Sequence, residues 1–149
     1  MMIRRMTEND IDAVLELKAG EFQPAWNRDM LMSELKDNPF AQAYVLTEND
    51  KIIGFLDFWI TFETAQLANI AIETNRQRQG LGSLLMNEML EICDKEMCEM
   101  ISLEVHVNNQ TAISFYEHYG FIKASLRKGY YEDGCDAHLM IKPLGGNYV

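Results

Sequence analysis

The stretch Asn69-Ile70-Ala71-Ile72, the polar run from Glu73, and then Gln77-Arg78-Gln79-Gly80-Leu81-Gly82-Ser83 decide how this chain is read. Ala65 to Ile72 is apolar at nearly every position, the pattern of a strand covered on both faces and central in its sheet. Leu81, Leu84, Leu85, Met89 and Ile92 recur at helical spacing, so a long amphipathic helix begins at the two glycines. The first N–H groups of a helix lack partners within it and converge on one spot, where the dipole favours an anion. Gly80 and Gly82 keep side chains out of the way of a phosphate there, and Arg76 and Arg78 offer charge. A dinucleotide fingerprint would need a third glycine where Leu85 stands, and a P-loop would need Lys where Ser83 follows Gly82. What remains is a phosphate cradle of another kind, or a tight turn alone.

Working outward, Met2 to Arg5 reads as a short strand, and Thr7-Glu8-Asn9-Asp10 as a helix start with acids in its first turn. Ile11, Val14, Leu15 and Lys18 continue that helix to about Gly20. A loop with Phe22, Pro24 and Trp26 follows, then Asn27 caps a second helix carrying Met30, Leu31 and Leu35, which Asn38-Pro39 ends. Ala43 to Leu46 and Ile52 to Thr61 are strands joined by the turn Glu48-Asn49-Asp50-Lys51. Beyond the long helix, Met100 to Val107 returns to strand, and Gln110 to His118 is a short helix closed by Gly120. Phe121 to Tyr131 and His138 to Ile141 form a closing antiparallel pair. The order is α+β.

The 149 residues carry no internal repeat or linker, so residues 1–149 are expected to form a single domain. Thirteen Lys and Arg against twenty-three Asp and Glu leave a formal charge of −10. That balance gives nucleic acid no purchase, since phosphate neutralisation needs clustered Lys and Arg. It suits a cationic partner instead, or serves solubility alone. Cys93, Cys98 and Cys135 form no CxxC pair and, with His106, His118 and His138, no metal-ligand spacing, so neither disulfide nor metal is expected. No apolar run approaches the ~20 residues of a membrane span. The opening residues turn polar at once, unlike a signal peptide. The chain is therefore expected to be cytoplasmic, with no membrane partner.

Gln77, Gly80 and Gly82 also satisfy Gln/Arg-x-x-Gly-x-Gly/Ala, which resembles the pyrophosphate-binding signature of the GNAT family of N-acetyltransferases. The block Asn109, Ala112, Tyr116, Gly120-Phe121 resembles the same family further along the chain. Leu103-Glu104-Val105, Arg127, Tyr130-Tyr131 and Asp136-Ala137 are similar to the bacterial ribosomal-protein-alanine members. Two positions depart from that pattern: His106 stands for the usual Arg after Leu-Glu-Val, and Cys135 for the Glu before Asp-Ala. The early Phe-Pro-Trp pattern is loosened to Phe22-Gln23-Pro24-Ala25-Trp26.

The resemblance implies an acyl-CoA N-acyltransferase fold, a mixed, mostly antiparallel central sheet flanked by helices with a V-shaped cleft for acetyl-CoA. It implies that the backbone of Ile70, Ala71 and Ile72, freed by a bulge, holds the pantetheine arm. Gln77, Arg78, Gln79, Gly80, Leu81, Gly82 and Ser83 would bind the pyrophosphate, and Asn109 would add an amide contact. Glu104 would be the general base and Tyr116 the general acid, with Trp26, Tyr130 and Tyr131 lining the acceptor groove. By residue pattern alone, Glu104 is a strand-edge carboxylate, Tyr116 a core aromatic and Asn109 a helix cap. The implied reaction is direct acetyl transfer, in a ternary complex, to a basic protein N-terminus. The alanine of bacterial small-subunit ribosomal protein eighteen is the implied acceptor. A small amine or polyamine acceptor and a non-catalytic CoA-binding sensor remain open. His106, His118 and His138 show no partner in the sequence and are left outside the site.

Overall fold

A computed structural model describes residues 1–17, 22–23 and 25–145 of the chain. The strands are β1 (Met2–Arg5), β2 (Ala41–Glu48), β3 (Lys51–Thr61), β4 (Thr64–Ile72), β5 (Met100–His106), β6 (Ile122–Arg127) and β7 (Ala137–Pro143). The helices are α1 (Ile11–Glu16), α2 (Arg28–Lys36), α3 (Leu81–Lys95) and α4 (Gln110–His118). The expected end of α1 at Lys18 to Gly20, and Pro24 of the loop, fall outside the described residues. Asn27 caps α2 as its residue type predicts, its Oδ1 accepting from Met30 N–H at 2.9 Å. Asn49 and Asp50 both take positive φ, the two-residue turn whose twist suits a hairpin, and so join β2 to β3.

One sheet runs β1-β2-β3-β4-β5-β7-β6, and β4 is at its centre, as its apolar sequence predicts. Every neighbouring pair is antiparallel except β4 and β5. A parallel pair needs a crossover, and α3 supplies it. Alternation along the strands feeds two cores. Leu46, Leu56, Phe58, Leu67, Leu103 and Val105 face α3, while Val45, Phe55 and Ala43 face α1 and α2. β6 is shorter than the sequence suggests, so Tyr130 and Tyr131 lie in the loop before β7.

The central pair does not stay together. β4 pairs with β5 only from Thr64 to Gln66, opposite Met100 to Ser102. In the β3 register Phe58 faces Leu67 but Asp57 faces Asn69, so Ala68 is an extra residue and β4 bulges there. β5 remains bound along its other edge, Met100 to His106 against β7. Residues 67–72 therefore have a strand on one side only, and a V-shaped cleft opens between β4 and β5.

Beside the bulge, on the α2 face, Asp57 is fully buried, and no donor from a described residue reaches either of its carboxylate oxygens. Burial, and then the neighbouring Glu34 carboxyl, push its pKa up to about 9. Burial also opposes ionisation of Glu34, but hydrogen bonds with Asp57, Trp59 and Asn38 outweigh it and hold that pKa low. Trp59 Nε1–H donates to Glu34 Oε2 at 2.8 Å and Asn38 Nδ2–H to Oε1 at 3.2 Å. The pair therefore shares one proton, carried by Asp57 and donated to Glu34.

That proton has a consequence for folding. Unfolded, Asp57 ionises near 3.8; folded, near 9. Between those values the native state binds the extra proton, so its stabilising effect is complete below the lower value and fades as pH rises through the upper. Thermal melts of Asp57→Asn should show a flatter pH profile than the parent, its relative Tm rising from pH 5 to pH 9. Parallel profiles would mean that Asp57 is ionised in the fold.

Candidate active site

The loop from β4 to α3 is built as an anion cradle. Gly80 sits at φ +78°, and a Cβ there would meet nothing within 4 Å, so the glycine serves backbone conformation and leaves the approach open. Leu84 N–H is bonded back to Gly80 C=O at 3.3 Å, and the amides of Leu81, Gly82 and Ser83 precede it as the unpaired first turn. Gly82 faces the Phe115 ring of α4, 3.6 Å from where a Cβ would lie, which brings α4 close against this turn. Arg78 also takes positive φ, +64°.

Two side chains of the loop do other work. Arg76, expected to offer its charge to the anion, instead forms a bidentate pair with Glu48 at 2.7 and 3.0 Å and donates from Nε to Gln79 Oε1 at 3.0 Å. The competing carboxylate lies on β2 and carries no signal in the loop sequence. Gln77 Nε2–H donates to Ile72 C=O at 3.4 Å, tying the loop to the end of β4. Asn109 Oδ1 accepts from Ala112 N–H at 3.2 Å and caps α4.

At the mouth of the cleft, Glu104 of β5 is only 13% exposed. Its Oε1 accepts from Arg127 Nε–H at 3.2 Å and its Oε2 from Gln66 Nε2–H at 3.4 Å. Gln66 is the last β4 residue paired to β5, so the carboxylate spans the point where the strands part. Tyr130 and Tyr131 lie within its field. Burial raises the pKa of both, Tyr131 to about 12, and the Glu104 charge adds to each. Their rings meet edge to face at 4.9 Å. Tyr116 is 6% exposed and packs edge to face on Phe115 and Phe121. Burial, with a smaller push from Tyr131, holds its phenol protonated.

Trp26 does not join this group. It is buried against Phe55, with ring centroids 5.6 Å apart, in the core under α1 and α2. One edge reaches a cavity bordered by Asp57 and Asn69.

His106 has the partner its sequence did not reveal, because that partner is on a loop 27 residues away. Its Nδ1 accepts from Asn108 N–H at 3.1 Å, so the proton of the neutral ring is on Nε2, directed at Asp133 Oδ2 2.8 Å away. The ring sits between Phe22, at 4.9 Å, and Tyr131, at 5.0 Å. Cys135 is beside it, and the ligand-type atoms of His106, Asp133 and Cys135 lie within 4.8 Å of one another. The two departures from the resembled pattern, His106 and Cys135, thus fall at one place and fix the loop that carries Tyr130 and Tyr131. Spacing along the chain gave no hint of this trio.

Residues 11–121 match the Acetyltransferase (GNAT) family, and the chain belongs to that family. A protein of Bacillus subtilis, described as a candidate [ribosomal protein bS18]-alanine N-acetyltransferase, is 36% identical over 93% of this chain and 92% of its own. The crystal structure of the ribosomal-protein-S18-alanine N-acetyltransferase from Escherichia coli superposes with a TM-score of 0.86 at 30% identity, covering 99% of this chain and 97% of that one. At 19% identity the fold extends to the PaiA N-acetyltransferase of Thermoplasma acidophilum, solved with coenzyme A, with a TM-score of 0.79 over 95% and 98% of the two chains. The expected fold and the resemblance to the ribosomal-protein-alanine enzymes are borne out, and the chain is an N-acetyltransferase of this family.

Gly80→Ala should destabilise the unliganded protein by about 1 kcal/mol, because a Cβ is strained at this φ although space is free. In a chain of this size that is a fall in Tm of about 2–4 °C. An unchanged Tm would show that the loop relaxes to negative φ without loss.

Proposed function

We propose that this enzyme transfers the acetyl group of acetyl-CoA to the N-terminal α-amine of a protein, the alanine of ribosomal protein bS18 being the leading acceptor. The observation that carries the reading is the shielded Glu104 carboxylate at the parting of β4 and β5, with two tyrosines of a loop beside it. The names of the Bacillus and Escherichia relatives support the acceptor. A ribosomal acceptor places the work in the cytoplasm.

The residues present fit the cosubstrate. Unpaired backbone on residues 67–72 can hold an amide-bearing arm, as a strand would, with Ile70, Ala71 and Ile72 nearest the cradle. The amides of Leu81, Gly82 and Ser83, with Arg78, Gln79 and Gly80, suit a pyrophosphate. Gln77 supports the loop from behind, and Asn109 keeps its side-chain N–H groups for a further contact. When bound, acetyl-CoA supplies an activated thioester.

An amine at neutral pH arrives as ammonium and must lose a proton before it can attack. Glu104 is the group to receive that proton, directly or through one water, and the arriving cation replaces Arg127 as its partner. Backbone N–H groups at the bulge polarise the carbonyl under attack. Tyr116, protonated throughout the working range, stands as donor to the departing sulfur. Tyr130 and Tyr131 present aromatic faces and polar edges to the acceptor backbone. Cys93 and Cys98 are buried in the α3 core and Cys135 is held beside His106 and Asp133, which supports direct attack in a ternary complex over a cysteine-bound intermediate.

Thiol release measured with a basic Ala-initiated peptide and with spermidine tests the acceptor. Turnover of the peptide is expected, while turnover of spermidine alone would make this a polyamine enzyme, an acceptor the charge of −10 also suits. Binding of coenzyme A with no turnover of any amine would make it a sensor. Glu104→Gln and Tyr116→Phe should each lower kcat about 10²-fold or more while coenzyme A still binds. Wild-type rates in both variants would remove these roles.

A further inference from the structure

The cleft and its loop leave one polar group unexplained, the buried carboxyl pair on the α2 face. Asp57 and Glu34 border a cavity of about 420 Å³ between α2 and the β3–β4 hairpin, walled by Trp26, Met30 and Trp59 and floored by Ala68 and Asn69. Asp29 stands at its rim, and no Lys, Arg or His is among the described lining residues. Asp57 has no donor for either oxygen and is fully buried. A carboxyl pair with one proton is a poor way to fill a core, since apolar residues or an amide would avoid the desolvation cost. Two carboxyls in a cavity lined by indoles and lacking any cationic side chain among the described residues are, by contrast, the chemistry that accepts an alkylammonium or a guanidinium.

The cavity opens on the acceptor side. Leu67, Leu103 and Val105 point into the α3 core, so Gln66 and Glu104 face the opposite side of the sheet, where Asp57 also lies among α2 residues. β4 and the opening cleft both separate Asp57 from Glu104, so across that face they are further apart than two paired interstrand spacings, that is more than roughly 10 Å. An extended peptide advances about 3.4 Å per residue, so a long basic side chain at the second or third position covers the span from an amine at Glu104.

The geometry points to this cavity as a subsite for a cationic side chain at the second or third residue of the acceptor, with Asp57 and Glu34 as its counter-charge. The inference rests on the protein-acceptor reading above. Binding exchanges one cation for one proton: the ammonium or guanidinium enters beside the half-buried Glu34, Asp57 behind it loses its proton to solvent, and the two carboxylates together balance the guest. No bond to carbon is made or broken. The substitutions that distinguish this site are on the substrate as much as on the enzyme.

The test compares kcat/KM for Ala-initiated peptides with Lys, or with norleucine, at the second and third positions, in the parent enzyme and in Asp57→Asn and Glu34→Gln. The parent should prefer the Lys peptide by about ten- to a hundred-fold, the size of a charged hydrogen-bonded contact. Both variants should bring that ratio toward one. Asn at 57 keeps a donor to Glu34, and melting curves confirm that the variants fold. The parent comparison stands even if they do not. Equal rates with Lys and norleucine in the parent, or a ratio unchanged in both variants, would overturn the subsite while leaving N-terminal acetylation intact. Turnover of spermidine and of no peptide would instead overturn the protein-acceptor reading, and the subsite with it.

Discussion

The hydrogen bonds between the two central strands stop at Gln66 and Ser102, and the rest of the molecule is arranged around that break. Backbone N–H and C=O groups left without partners are costly unless water or a ligand meets them. A break at the centre of a sheet is therefore tolerated only where something else holds both strands. β4 is held by β3 along the whole cleft, through the bulge at Ala68. β5 is held by β7 up to His106, which is why β7 lies between β5 and β6 rather than at the edge. α3 begins where β4 ends and brings its unpaired first amides to the closed end of the same opening. An exposed strand edge and a helix N-terminus on one cleft make a site for an elongated molecule with anionic and amide parts.

Charge is sorted along that cleft in spite of the overall excess of acid. At the cradle, Glu48 neutralises the Arg76 guanidinium, and the amides and Arg78 set the local field. Towards the other side of the sheet, Glu104 pairs with Arg127 and Asp133 with His106, while Glu34 and Asp57 share a proton with no cation beside them among the described residues. The α3 end of the cleft favours an anion and the Glu104 end a cation. The net charge of −10 reports the second and conceals the first.

Much of this was legible in the chain. The apolar run at 65–72, the polar loop and the glycines at 80 and 82 give a central strand, a crossover helix and a cradle, because periodicity and backbone freedom are local properties. The cap by Asn27, the turn at Asn49-Asp50 and the helix Gln110–His118 are local for the same reason. What the chain conceals depends on distant pairs. Glu48 meets Arg76 across 28 residues, Gln66 meets Glu104 across 38, and His106 meets Asp133 across 27. Asp57 reads as the polar stop of an apolar strand, and only the packing of α2 makes it a buried acid. Trp26 carries an aromatic signal that fits a groove and a core alike, and the structure gives it something of both: it packs on Phe55 and lines the cavity that Asp57 borders.

The central claim is that the free edge of β4 and the first turn of α3 bind one ligand together. Amide hydrogen exchange, resolved by residue with and without coenzyme A, measures this directly. The account predicts that cleft-facing amides among residues 67–72 and those of Leu81, Gly82 and Ser83 gain protection together, while the β1–β2 pair is unchanged. Coenzyme A that binds yet leaves the β4 amides exchanging as before would contradict it.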